Sequence, residues 1–247
     1  MKALTLSALF ALLAMTASAQ SDKEKRADAL DAQFKNEQAL PLYLELVAEN
    51  PNDSELHRKV SKQYGQLMEL TSSKSKKEAL ATKALAAAQR AVELDPENPN
   101  ARIALAISYG KASFLKSPKE RLQFARHIKS NAETALRAEP DNPVANHILG
   151  RWHYEVVTMN PAMKFAATSL FGSLPDASMT EAVTLLGKAA RSEPDNVLFI
   201  AEYGRALAEA GQDSEARHYL EKATQLPPKA PGDNEAQQRA RKTLLSL

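Results

Sequence analysis

Five histidines, His57, His127, His147, His153 and His218, are the residues best suited by type to acid–base or metal chemistry. Their spacing supports neither. No HExxH or other ligand pair occurs, and His147 and His153, six apart, do not share a helix face. The chain has no cysteine, which excludes thiolate metal sites, disulfides and a cysteine nucleophile. It has no glycine-rich phosphate loop and no GxSxG nucleophile turn. Paired carboxylates such as Glu139 and Asp141 stand in proline turns, where they cap helices and meet positive helix ends. These patterns point away from an enzyme and imply no cofactor and no metal. What remains is recognition chemistry, and it depends on where the basic and aromatic residues fall on the helices that carry them.

Those helices are punctuated by proline. Turns recur as ENPND around Pro51, LDPENPN around Pro96, AEPDNP around Pro140, SEPDN around Pro194 and LPP ending at Pro228. Successive prolines lie 45, 44, 54 and 34 residues apart. A period of 34 is that of the tetratricopeptide repeat, a helix–turn–helix unit closed by proline. In the last unit Ile200, Tyr203, Gly204 and Leu207 fill the first helix, and Ala216, Leu220 and Ala223 fill the second. Gly211 marks the turn, with Asp213 or Ser214 as the cap of the second helix.

The same template runs upstream. Asn146, Leu149, Gly150 and His153 lead to Ala182, Leu186 and Ala189. Arg102, Leu105, Ala106 and Tyr109 lead to Ile128, Ala132 and Ala135; His57, Val60, Ser61 and Tyr64 lead to Ala84, Ala88 and Ala91. A degenerate first unit has Ala27 and Leu30, then Ala39, Tyr43 and Leu46. The excesses over 34, of 11, 10 and 20 residues, fall between the two helices of a repeat, because each second helix keeps its register with its proline. Asp233–Leu247 carries Ala236, Ala240 and Leu244 at helical spacing, as the capping helix of a solenoid does. With no strand-like alternation, the fold class is all-α: a tetratricopeptide-like helical-hairpin solenoid of about five helix pairs, with long insertions and a C-terminal capping helix.

The chain opens with Lys2, an apolar run from Ala3 to Met15 and the small residues Ala17-Ser18-Ala19, the pattern of a cleaved signal peptide. The run is short for a membrane span of about 20 residues. The expected organisation is therefore a leader over 1–19, a repeat domain over 20–232 and a cap over 233–247. The mature chain would have no membrane span and would be exported to a periplasmic or extracellular location. A formal charge of +2 gives no reason to propose nucleic acid.

The stretch from Asn146 to Pro194 is more specific than the scaffold. It reads NHILGRWHYEV, then MKFAATSLFGSLPDAS, then TEAVTLLGKAARSEPDN. The LGRW-x-YEV signature, the insertion ending LFG-x-x-P-x-A-S and the EA helix after it resemble the regulator of microtubule dynamics family, and the long helices of the two preceding repeats are similar to it. The resemblance covers roughly residues 35–245 and suggests an exported, bacterial-type member. It implies an all-helical tetratricopeptide-like domain without catalytic activity. Eukaryotic members are associated with microtubules or sit at organelle membranes, where one branch binds and transfers phospholipid.

By repeat alignment, the first helices direct Arg58 and Lys62, Ile103, Ile107 and Lys111, then His147, Arg151 and Tyr154, and finally Arg205 toward the concave face, with Glu155 and Glu209 beside them. A basic groove of this kind would hold a peptide carboxylate or a lipid phosphate, since arginine forks match such oxygens with parallel hydrogen bonds. An ordinary solvated face with internal pairs such as Arg151–Glu155 gives the same composition. Trp152 is either a ligand platform or a packing residue against the adjacent insertion. The insertion, 158–179, holds Met159, Met163, Phe165, Leu170 and Phe171; it is a lid over an acyl-chain cavity or a satellite core. The two shorter insertions, 74–83 and 116–129, are basic; they suit an anionic membrane surface or an acidic partner, or are solvated helix faces. The leading expectation is a non-catalytic scaffold that binds a protein or peptide partner. The alternative is a carrier of a phospholipid or other amphipathic ligand under the 158–179 insertion.

Overall fold

In a computed structural model, residues 22–172 and 176–247 are described. The expected leader over 1–19 lies outside the described residues, as do Pro175 of the signature and the side chain of Phe171. The described residues form helices and turns, and none of their helices is long and apolar enough to cross a membrane.

The chain divides into two compact units, at Asp95 and Pro96. The N-terminal unit holds α1 (22–32), α2 (Asn36–Glu49), α3 (Ser54–Leu70) and α4 (Lys74–Leu94), packed in sequence order. Its core gathers Ala27, Ala39, Tyr43, Leu46, Leu56 and Val60. Polar contacts tie its helices together. Lys59 on α3 pairs with Glu24 and Asp28 on α1, at 2.8 and 2.7 Å, and the Tyr43 hydroxyl donates to Asp28 at 2.6 Å.

The C-terminal unit holds α5 (Pro99–Ser113), α6 (Pro118–Ala138), α7 (Pro143–Val157), α8 (Pro161–Phe171), α9 (Met179–Ser192), α10 (Val197–Glu209), α11 (Asp213–Gln225) and α12 (Asp233–Leu244). Helices α5 and α6, α7 and α9, and α10 and α11 form hairpins; α8 packs on α6, and α12 packs on α10 and α11. The largest core runs from Leu186 through Ile200, Leu207 and Leu220 to Ala236 and Ala240.

Each proline turn ends one hairpin and starts the next. Side chains of Asp53, Asn98, Asn142 and Asn196 accept backbone N–H groups of the following helix, leaving fewer orphan donors. Pro99 and Pro143 occupy the first helical position, where a missing N–H is harmless. Counting back from the turn prolines, the fifth residue is Leu46, Ala91, Ala135, Ala189 or Ala223, and the eighth is Tyr43, Ala88, Ala132, Leu186 or Leu220; all ten are fully buried. One expectation fails locally. Neither Asp213 nor Ser214 caps α11: Gly211, at φ +73°, turns the chain so tightly that α11 begins at Asp213 itself, after an uncapped Gln212.

The two shorter insertions do not loop out. The excesses of 11 and 10 are absorbed as helix, so α4 and α6 each reach 21 residues, against 13 for α11. The excess of 20 becomes α8 and the connection after it.

Close helix approach rests on small residues. A Cβ at Gly150 would lie 2.9 Å from both Cγ and backbone N of Leu186 on α9. Gly150→Ala is therefore expected to lower stability. Overpacking costs about 1–3 kcal/mol, only partly offset by a gain of up to about 1 kcal/mol in helix propensity. The urea midpoint read from the fluorescence of Trp152, the single tryptophan, checks this; an unchanged or higher midpoint contradicts it.

Candidate binding site

The first helices α7 and α10, with the cap α12, build a charged cluster around one buried carboxylate. Glu202 on α10 is 2% exposed. Arg205, one turn on, donates from Nη1 to its Oε2 at 2.7 Å. Arg239 on α12 reaches its Oε1 at 3.1 Å from Nη2 and pairs also with Glu235 at 3.1 Å. Burial alone would push the Glu202 carboxyl up, but Arg151, Arg205 and Arg239 together outweigh it and hold the carboxyl below its usual range. Glu202 is thus a buried anion held by arginines of α10 and α12, with the charge of Arg151 on α7 added at longer range.

Arg205 is held on two sides. Its second Nη donates to the Tyr154 hydroxyl at 3.2 Å, and its guanidinium lies 5.0 Å from the centroid of that ring. Beside this pair opens a cleft of about 310 Å³, lined by Tyr154, Arg205, Ala208, Glu209, Asp213, Thr243, Ser246 and Leu247. The lining offers a guanidinium edge, a phenol, two carboxylates and two hydroxyls, with little apolar surface. Such a surface suits a polar segment of mixed charge and has no walls for an acyl chain.

The residues expected on a concave basic groove fall in both units. Arg58 and Lys62 belong to the N-terminal unit, where Arg58 pairs with Glu55 at 2.5 Å and Lys62 with Asp31 at 2.7 Å. Lys111 stands in the last turn of α5. Arg151 pairs with Glu155 at 3.5 Å, the helical ion pair of the bland alternative. His147 departs from its expected place on the binding face. It is buried, its ring stacks on Phe199 at 4.8 Å between centroids, and its Nε2 has no partner among the described residues. Burial pushes its pKa down to about 4, so it is neutral at pH 7. Tyr154 and Arg205 are the two that meet in the cleft.

The apolar candidates also separate. Trp152 is buried against α6: its indole N–H donates to the Ala125 carbonyl at 2.9 Å, and the Lys129 ammonium stands 5.4 Å from its ring centroid. It is a packing residue, held by the extended α6. Phe165 is 76% exposed and Leu170 39%, so neither lines an enclosed volume. Sequence reasoning missed Glu202 and Arg239. The available signal was a lone acid inside the apolar run VLFIAEYG, with Arg205 three residues on.

Proline-closed antiparallel helix pairs with small residues at the crossings define an all-α, tetratricopeptide-like repeat protein. Solved structures show the same fold. A thermophilic TPR protein of Thermus thermophilus has a TM-score of 0.62 at 20% identity, over 92% of this chain and 99% of that one. PilF of Pseudomonas aeruginosa has 0.57 at 12% identity, over 93% and 88%. Within that class the chain belongs to the family described as Regulator of microtubule dynamics protein 1-3, which matches residues 24–247. Regulator of microtubule dynamics protein 3 of Rattus norvegicus is 27% identical over 170 residues, 68% of this chain and 36% of the relative. Protein 2 of Homo sapiens is 24% identical over 188 residues, 74% and 45% respectively. The matched region thus spans less than half the length of these curated relatives.

Proposed function

We propose that the chain is a non-catalytic binding scaffold whose C-terminal unit receives a polar protein segment in the Tyr154–Arg205 cleft. The observation that carries this reading is the anchoring of Arg205. Glu202 and Tyr154 fix its guanidinium at the cleft wall, so a ligand meets a pre-oriented donor and little side-chain entropy is lost on binding. The tetratricopeptide-like fold and the family relationship support a binding role. The solvent-facing Phe165 and the polar lining of the cleft favour a protein segment over an acyl chain.

A photo-reactive phenylalanine at Glu209, on the cleft wall, tests the reading in extracts of the source cells. The expected result is one discrete adduct, displaced by excess unmodified protein and absent when the probe stands at exposed Arg137. Identical labelling from both positions, or no adduct at Glu209, overturns the proposal.

A further inference from the structure

The lengthened hairpins end in a pattern that the cleft does not use. In the C-terminal unit, α5 and α7 both run antiparallel to α6, so the turn after α5 and the turn after α7 lie at one edge. The α5–α6 turn projects Phe114, 66% exposed, with the Arg121 guanidinium 6.0 Å from its ring centroid and exposed Lys116 and Lys119 beside it. The one acid there, Glu120, is occupied. It accepts from the Ser117 backbone and hydroxyl in a capping box and lies 3.6 Å from Lys116.

Helix α8 starts from the same edge. It carries Lys164, no acid, and Phe165 and Leu170 turned outward, while Ala167 is fully buried. The opposite edge has the reverse charge. Its turns carry Glu97, Glu139, Asp141, Glu193 and Asp195 against a single cation, Lys229. The unit is therefore electrically polar from edge to edge, and a negative surface would orient it tip first.

We propose that this tip edge, Phe114 to Arg121 with the outer face of α8, docks on an anionic lipid bilayer. Single aromatic rings protruding among cations need no complementary pocket. A bilayer interface accepts them at headgroup depth while lysine and arginine meet the surface charge. The third tip of the unit is acidic, with Glu209 and Asp213, but it sits back from that plane. Its second helix of 13 residues spans about 20 Å, whereas α6, with 21 residues in register at the proline end, spans about 31 Å. The N-terminal unit repeats the pattern on its own lengthened hairpin, where Leu70, 63% exposed, is followed by exposed Lys74 and Lys76 and half-buried Lys77. This docking is independent of the Tyr154–Arg205 cleft and goes beyond that reading.

Co-sedimentation of the full chain with vesicles tests it. The chain is expected to sediment with equal parts phosphatidylcholine and phosphatidylglycerol but not with phosphatidylcholine alone, and less at about 300 mM than at about 50 mM salt. Phe114→Ser with Phe165→Ser, and separately Lys116→Glu with Lys119→Glu, are each expected to lower partitioning by about tenfold or more. Asp141→Asn with Asp195→Asn, at the far edge, is expected to leave it unchanged or raise it. Far-UV circular dichroism establishes that each variant is folded; Lys119→Glu alone, on an exposed position, serves if a double variant is not. No sedimentation with phosphatidylglycerol at low salt overturns the proposal. So does parent-like binding by folded tip variants. Loss in the charge variant with none in the phenylalanine variant also overturns it, and points to an acidic macromolecule.

Discussion

Glu202→Ala is expected to destabilise the C-terminal unit by about 2–4 kcal/mol, making Glu202 one of the most sensitive positions in the chain. The substitution removes the anion and leaves Arg205 and Arg239 facing a cavity with a like-charged neighbour, Arg151. Breaking a buried pair from one side costs about 3–5 kcal/mol; the figure is lowered here because Arg239 is partly exposed and its charge is screened. Glu202→Gln keeps the shape and an acceptor, so it should fall between. Urea unfolding followed by Trp152 fluorescence reads the effect in the right unit. An alanine variant within a few tenths of the parent would show that the arginines find other partners or water.

The second large effect is a loss of stability on acidification that begins above the carboxylate range. His147 is neutral and buried, with its pKa pushed down to about 4 from 6.5. Below pH 6.5 the unfolded chain takes up a proton at this position and the folded chain does not. Its contribution is therefore complete above pH 6.5 and is lost as pH falls toward about 4, amounting to about 3 kcal/mol. Glu202 draws a proton toward the ring, but burial together with Arg151 and Arg239 opposes it. Glu202 itself acts further down. Its lowered pKa means stability present above its unfolded value of 4.5 and lost as pH falls through the folded one. His147→Gln should flatten the profile between pH 6.5 and 4 and leave the lower limb. A profile identical to the parent would show that water reaches the ring.

How much of this was legible depended on distance along the chain. Leu46, Ala91, Ala135, Ala189 and Ala223 could be placed in the core by counting back from a proline, because turn and buried stripe belong to one helix and share its period. Arg58–Glu55 and Arg151–Glu155 were within reach for the same reason, as neighbours three and four apart on a helix. Glu202 and Arg239 are 37 residues apart, and their meeting depends on how α12 lies across α10. Local pattern carries no such information. Trp152 illustrates the same limit. Its partner, the Ala125 carbonyl, lies within the insertion that lengthens α6, and composition could not say that the insertion would remain helical. Nor could it say which side of α8 faces out. A run such as MKFAATSLF reads equally as core or as surface until Ala167 is seen buried and Phe165 exposed.

The fixed offset between each turn proline and its fully buried residues has an evolutionary reading. Every repeat is anchored at the proline end and varies at the other, so gain or loss of helical turns never disturbs the joint between one hairpin and the next. Crossovers at the proline turns would exchange whole hairpins with their contacts in phase. Selection can then remodel the tips, in length, charge and greasiness, while the spine is inherited unchanged.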